Sequence, residues 1–239
     1  MPAIKKAILF DLGNTLVQYC DNSEFPVILE LEMDNIRDYL YLNGLLQVSR
    51  EEINHRVSIE DYENKDYRVQ PLEQRLARIF QLTTSNCSDE LLMRLCKCFM
   101  APFFKIARLY DDTFPVLDQL ASDSYRIAIV SNSLWGCPAE LWREEIERHG
   151  LDKWIKTTVF CRDVGWRKPA TQIYKYALQK LRVRAGDCLF VGDNPSWDFF
   201  GPKASGIPAV LLDRSGTMRE ITEHRIENLY QITEVINKS

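Results

Sequence analysis

The 239-residue chain is 46% apolar and 27% charged, a composition that supports a sizeable core and excludes the charge-rich, core-poor signature of disorder. Its net charge of −4 comes from acids and bases mixed along the whole length, so there is no basic stripe to track nucleic acid. No stretch approaches the ~20 apolar residues of a membrane span, and the amino terminus lacks a signal-peptide pattern; with seven scattered cysteines, the expectation is a cytoplasmic protein with reduced thiols.

In chain order, residues 5–11 (KKAILFD) start basic, become a continuous apolar run and stop at an acid followed by Gly13. A strand buried on both faces of a parallel sheet reads this way where it ends at a loop. From Val17 to Leu109 no convincing strand occurs. Residues 25–43, 50–64, 72–80 and 89–104 carry apolar residues at helical spacing, with breaks at Asn43-Gly44 and 83–88. Their content of Leu, Glu, Arg and Met favours helix, so an inserted helical domain is expected there. Four further apolar runs follow, at 125–131 (YRIAIVS), 157–161 (TTVFC), 188–191 (CLFV) and Ala209–Leu212 (AVLL). Helical patterns lie at Thr113–Ser122, 138–149, Thr171–Leu181 and 196–205. Strands alternating with helices call for a parallel sheet covered on both faces. The expected division is an α/β core of residues 1–16 and 110–239 and a helical domain of residues 17–109.

Ligands of open α/β sheets gather at the carboxyl ends of strands. Four polar segments fall at such ends: Asp11-Leu12-Gly13-Asn14-Thr15, Ser131-Asn132-Ser133, Arg167-Lys168-Pro169 and the run from Gly192 and Asp193 to Asp198. Together they bring carboxylates, a hydroxyl, an amide and one lysine to one sheet edge, as phosphoryl transfer through a carboxylate requires. Singly, each has an ordinary reading as a turn cap, a solvated acidic turn, a surface lysine or a turn serine. Their company in one chain points to a shared site. Cys96 and Cys98 have no second pair, and His55, His149 and His224 do not cluster with them, so no zinc site is expected.

In this order the four segments resemble the motifs of the haloacid dehalogenase superfamily: a nucleophilic Asp, a Ser or Thr, a Lys before a helix, and an acidic pair. The core resemblance covers residues 4–16 and 110–215, and residues 17–109 match in position and helical character the cap that many members insert after the first motif. It implies a Rossmannoid parallel-sheet core with an inserted all-α cap. It also implies Asp11 as the nucleophile of an aspartyl-phosphate intermediate, Ser131 and Asn132 holding the transferring group, Lys168 offsetting negative charge, and Thr15 orienting the first loop. Mg2+ is implied on Asp11, Asp193 and the Gly13 carbonyl, with Asp198 supporting the site through water.

The pattern departs from the family at Gly13. Most phosphatases of the superfamily carry an Asp there as general acid and base, a group typically worth roughly 10²–10⁴-fold in rate. A leaving group that needs little protonation, a proton donor from the cap or water, and a weak or binding-only member all stay open. Haloacid dehalogenases also lack that Asp, because halide leaves without a proton, but the pair Asp193 and Asp198 resembles the metal-binding form of the phosphatases. The expectation is an Mg-dependent phosphatase of a small phosphorylated metabolite, with a metal-independent 2-haloacid dehalogenase or a binding-only protein as alternatives. Tyr19, Tyr62, Lys65, Tyr67 and Arg68 are candidates for touching substrate from the cap, and Trp135 and Trp197 for lining the pocket; core packing or a solvated face reads at least as well for each. The oligomeric state is not legible.

Overall fold

A computed structural model describes residues 7–20, 23–46, 48–60, 66–83, 87–218, 220 and 224–238. The chain opens with β1 (Ala7–Phe10) and β2 (Val17–Gln18), passes through α1 (Phe25–Leu42), α2 (Arg50–Glu60), α3 (Leu72–Ile79) and α4 (Asp89–Ile106), and returns at β3 (Arg108–Leu109). Strands and helices then alternate as α5 (Thr113–Ser122), β4 (Arg126–Ser131), α6 (Ala139–Arg148), β5 (Ile155–Phe160), α7 (Cys161–Val164), α8 (Thr171–Leu181) and β6 (Cys188–Gly192). The chain finishes with α9 (Gly201–Ala204), β7 (Ala209–Leu212), β8 (Arg225–Ile226) and α10 (Ile232–Lys238).

Six strands pair in parallel in the order β5-β4-β1-β6-β7-β8. The apolar runs are continuous because both faces are covered, and successive residues turn to opposite sides. Ile8, Phe10, Ile129 and Val191 join one apolar cluster with α5 and α6, while Ala7, Leu9, Ala128 and Phe190 join another with Ile173, Tyr174 and Ala177 of α8. The helical cap buries Leu29, Met33, Ile36 and Leu40 of α1, at the three- and four-residue spacing of one helix face, against Leu95, Phe99 and Phe103 of α4. Ser88 caps α4 by accepting from Leu91 N at 3.2 Å, and the helix continues past Pro102 to Ile106.

The expected elements are present with shifted ends, and three features differ. Residues 17–109 do contain strand: β2 and β3 pair antiparallel, Val17 with Leu109 and Gln18 with Arg108, so the two linkers of the cap run side by side. Two residues are too few for periodicity to register. The expected helix at 196–205 is instead a π-helical turn, Pro195–Phe200, followed by α9. β8 and α10 extend the core beyond the last strand read from sequence. Residues 5 and 6 of the first expected strand, 61–64 of the second expected cap helix and 84–86 of the break at 83–88 lie outside the described residues. Among the described residues no helix is long and apolar enough to cross a membrane.

Candidate active site

The first strand fixes Asp11. Its backbone N–H donates to Val191 O at 2.9 Å, extending the pairing of β1 with β6 by one residue, and its side chain is buried. Asn14 then takes a left-handed turn at φ 55°, and its N–H donates to Val17 O at 2.7 Å, folding the loop back on itself.

Lys168 arrives from the segment between α7 and α8. Its buried Nζ donates to Asp11 Oδ1 at 2.7 Å and to Asp198 Oδ1 at 2.6 Å. Asn132, one residue past β4, grips the backbone of Lys168 from both sides: Oδ1 accepts from Lys168 N at 2.8 Å and Nδ2 donates to Lys168 O at 3.3 Å. The Asn132 side chain is thus taken up in holding the backbone of the lysine. Ser131 is buried at the end of β4, next to Asn132. Thr15 does not use its hydroxyl to orient the loop: Oγ1 is buried without a hydrogen-bond partner among the described residues, while its carbonyl accepts from Arg214 Nη2 at 2.8 Å.

The π-helical turn explains the spacing of the acidic pair. Asn194 Oδ1 accepts from Ser196 N and Trp197 N, both at 3.0 Å, and the wide turn swings Asp198 back until its Oδ2 accepts from Asn194 N at 3.0 Å. Asp198 then lies against Gly192, where an added Cβ would stand 2.4 Å from Asp198 Cγ. Only glycine permits that approach.

Carboxylate oxygens of Asp11, Asp193 and Asp198 all lie within 4.8 Å of one another. Burial, followed by the charges of Asp11 and Asp198, pushes the Asp193 carboxyl up to about 8. Burial also raises Asp198, against the pull of Lys168. For Lys168 burial alone would favour the neutral amine, but Asp11 and Asp198 outweigh it and hold the ammonium above the usual lysine range. Three carboxyl groups crowd one ammonium, and the raised Asp193 and Asp198 values are the cost of gathering that much negative charge with a single cation. A hard divalent cation with oxygen ligands fits that crowding, since it would hold all three groups as carboxylates.

Gly13 lies in the same loop without a positive φ, and the ring of Tyr19 passes 3.6 Å from where its Cβ would stand. Tyr19 packs edge-on against Trp142 at 5.6 Å, and its buried hydroxyl has no hydrogen-bond partner among the described residues. Tyr67 and Arg68 pair through their backbone with the segment before Lys168: Val69 N donates to Gly165 O at 3.0 Å and Arg167 N to Tyr67 O at 2.9 Å. The Arg68 guanidinium lies 4.9 Å from the Trp166 ring. Trp135 packs in the core, stacked on Phe99 at 5.5 Å. Trp197 is half-buried, and its carbonyl accepts from Tyr174 Oη. Tyr62 and Lys65 lie outside the described residues. Sequence reasoning missed Arg214 and Asp112; the one signal was Asp213-Arg214 directly after an apolar strand, the placement that marks Asp11.

The chain matches the haloacid dehalogenase-like hydrolase family over residues 5–206. It is 24% identical to a ribulose-1,5-bisphosphate 5-phosphatase of Halopiger xanaduensis, over 97% of this chain and 99% of the relative. It is 26% identical to a glyceraldehyde 3-phosphate phosphatase of Methanothermobacter thermautotrophicus, over 95% of this chain and 94% of the relative. The solved 2-haloacid dehalogenase of Pseudomonas syringae pv. tomato shares the fold, with a TM-score of 0.69 at 21% identity over 98% of this chain and 99% of that one. With three segments that follow strands gathered around Lys168, which itself lies between α7 and α8 rather than at a strand end, and the family matched over residues 5–206, this chain belongs to the haloacid dehalogenase-like hydrolases.

Proposed function

We propose that this hydrolase is a magnesium-dependent phosphatase that releases phosphate from a small metabolite through an aspartyl-phosphate on Asp11. The observation that carries the reading is the clustering of the Asp11, Asp193 and Asp198 carboxylates, two of which, Asp11 and Asp198, share one lysine. Dehalogenation of a carboxylate substrate needs no metal, whereas an acidic trio suits a divalent cation, and the cation in turn admits a phosphate dianion. The two full-length relatives named as phosphatases support the same choice.

With Oδ1 held by Lys168, the other carboxylate oxygen of Asp11 is left to attack phosphorus. The new O–P bond forms as the bond to the leaving oxygen breaks, and the phosphoryl group passes to Asp11. Ser131 Oγ and the amides after β4 hold the phosphoryl oxygens, and the Lys168 ammonium offsets charge that builds on them. Asp11, Asp193 and the Gly13 carbonyl would hold magnesium, with Asp198 supporting the site, and the bound ion would supply the positive charge that lets an anionic substrate approach a carboxylate. Attack of water on the aspartyl-phosphate then frees inorganic phosphate and restores Asp11. Gly13 supplies no proton to the leaving oxygen, so aryl and acyl phosphates are the favoured substrates.

A panel of phosphate esters, acyl phosphates and 2-haloacids, each assayed with magnesium and with chelator, tests this reading. Metal-dependent phosphate release is expected, reduced roughly 10³-fold or more in Asp11→Asn while circular dichroism stays unchanged. Chelator-resistant halide release, or near-normal turnover by the variant, would overturn it.

A further inference from the structure

Arg214 joins three stretches of chain that meet beside the nucleophile. Its Nη1 and Nη2 donate to the two carboxylate oxygens of Asp112 at 2.9 and 2.8 Å, and Nη2 also donates to Thr15 O at 2.8 Å. The guanidinium lies 3.7 Å over the Tyr110 ring. Thr15 belongs to the loop that begins at Asp11, whereas Tyr110 and Asp112 end the linker returning from the cap. The same junction is closed by Thr113 Oγ1 donating to Leu16 O at 2.7 Å and by Leu229 N donating to Asp112 Oδ2 at 2.8 Å.

Resting on the phosphatase reading of the site, we propose that Arg214 is a positioning residue that clamps the Asp11 loop to the returning cap linker. The loop is also held by Asn14 N on Val17 O and by Thr113 Oγ1 on Leu16 O, and Arg214 adds the hold on Thr15 between them. Thr15 Oγ1 makes no hydrogen bond among the described residues, so the carbonyl of Thr15 carries the loop's tie to Arg214. Gly13 brings no side chain to anchor the loop, yet its carbonyl is assigned a place on the metal. Arginine suits the task because one planar fork serves a carboxylate and a carbonyl while its face stacks on an aromatic ring; the single ammonium of lysine cannot do all three. The clamp acts through Asp11 and Gly13, since a displacement of ~1 Å at reacting groups costs on the order of 10²-fold in rate.

Arg214→Lys keeps the charge and removes the fork, and Asp112→Asn weakens the opposite jaw. Hydrogen exchange, magnesium titration calorimetry and, where turnover is found, the split between kcat and KM are the readouts. In both variants exchange of amides 12–17 is expected to quicken roughly 10-fold while that of β1, β4 and β6 holds, with magnesium affinity lower by a similar factor. Phosphate release falls in kcat with KM nearly unchanged. Should the wild-type protein release no phosphate, the phosphatase reading fails while the exchange and calorimetric arms still test the clamp. Unchanged exchange at 12–17 in either folded variant, or exchange that rises evenly across the sheet, would overturn it.

Discussion

An aspartate fits where Gly13 stands. Its backbone needs no left-handed φ, and the nearest obstacle to a Cβ is the Tyr19 ring at 3.6 Å, an ordinary van der Waals distance. Gly13→Asp is therefore expected to fold, and to raise kcat/KM on alkyl phosphates relative to aryl phosphates by roughly 10- to 100-fold, because only the former lack a stable leaving group. An unchanged ratio would show that the missing proton does not limit the reaction. Gly192 is the opposite case. A methyl group there meets Asp198 at 2.4 Å, so Gly192→Ala should displace that carboxylate from Lys168 and cost about 1–3 kcal/mol in chemical denaturation. Asp11 was legible because a polar residue directly after an apolar strand stands out along the chain; Lys168, between α7 and α8, and Asp198, six residues past β6, were legible through their order relative to it. The grip of Asn132 on Lys168 and the clamp of Arg214 on Thr15 were not, since each joins residues distant in sequence.

Among elements, the long buried strands declared themselves through composition, while β2, β3 and β8, of two residues each, fall below any periodic signal. Helical spacing at 196–205 was real, but periodicity does not distinguish a π-helical turn from an α-helix, and the need to bring Asp198 against Gly192 selects the wider turn. The loop leaving β7 depends on a buried acid. Asp213 accepts from Met218 N at 2.8 Å, Arg225 Nη1 at 2.7 Å, Ser215 Oγ at 3.1 Å and Thr217 N at 3.1 Å. Burial alone would raise its carboxyl, but these donors outweigh burial and hold it below the ordinary 3.8. A folded value below the unfolded one stabilises above about 3.8, and the gain is lost as pH falls through the folded value. Asp213→Asn should accordingly cost about 1.5–3 kcal/mol at neutral pH. Urea denaturation across a pH series should find the gap to wild type steady down to about pH 5 and closing below pH 4; a gap independent of pH would remove the charge from the account.

At the scale of the whole molecule, the cap is fastened to the core beside the motifs. Trp135, four residues after Ser131, stacks on Phe99 of α4 at 5.5 Å and lies 5.2 Å beneath the guanidinium of Arg75 in α3. An added Cβ on Gly136 would come within 2.0 Å of Gln70 O, so backbone meets backbone there. Arg162 of α7 pairs with Glu73 of α3 at 2.6 Å, and Arg148 of α6 donates to Phe104 O at 2.8 Å. One apolar cluster runs from Ile8 and Phe10 of β1 through Trp135 to Leu95 and Phe103 of α4. Sequence pattern disclosed a helical insert, but its attachment lies in side chains that periodicity assigns only to a core. Because the cluster is continuous, cap and core are expected to unfold as one cooperative unit. The five tryptophans, Trp135, Trp142, Trp154, Trp166 and Trp197, all lie outside α1–α4, though Trp135, Trp142 and Trp166 touch the cap, so their fluorescence follows the core and its junction while far-ultraviolet circular dichroism also carries the cap helices. The two midpoints should coincide in the wild-type protein. Trp135→Ala, which leaves a cavity at the junction, should lower stability by about 3–5 kcal/mol and bring the dichroism transition ahead of the fluorescence transition as the cap comes loose first. Separate transitions in the wild-type protein would show instead that cap and core fold independently and that the shared cluster does not couple them.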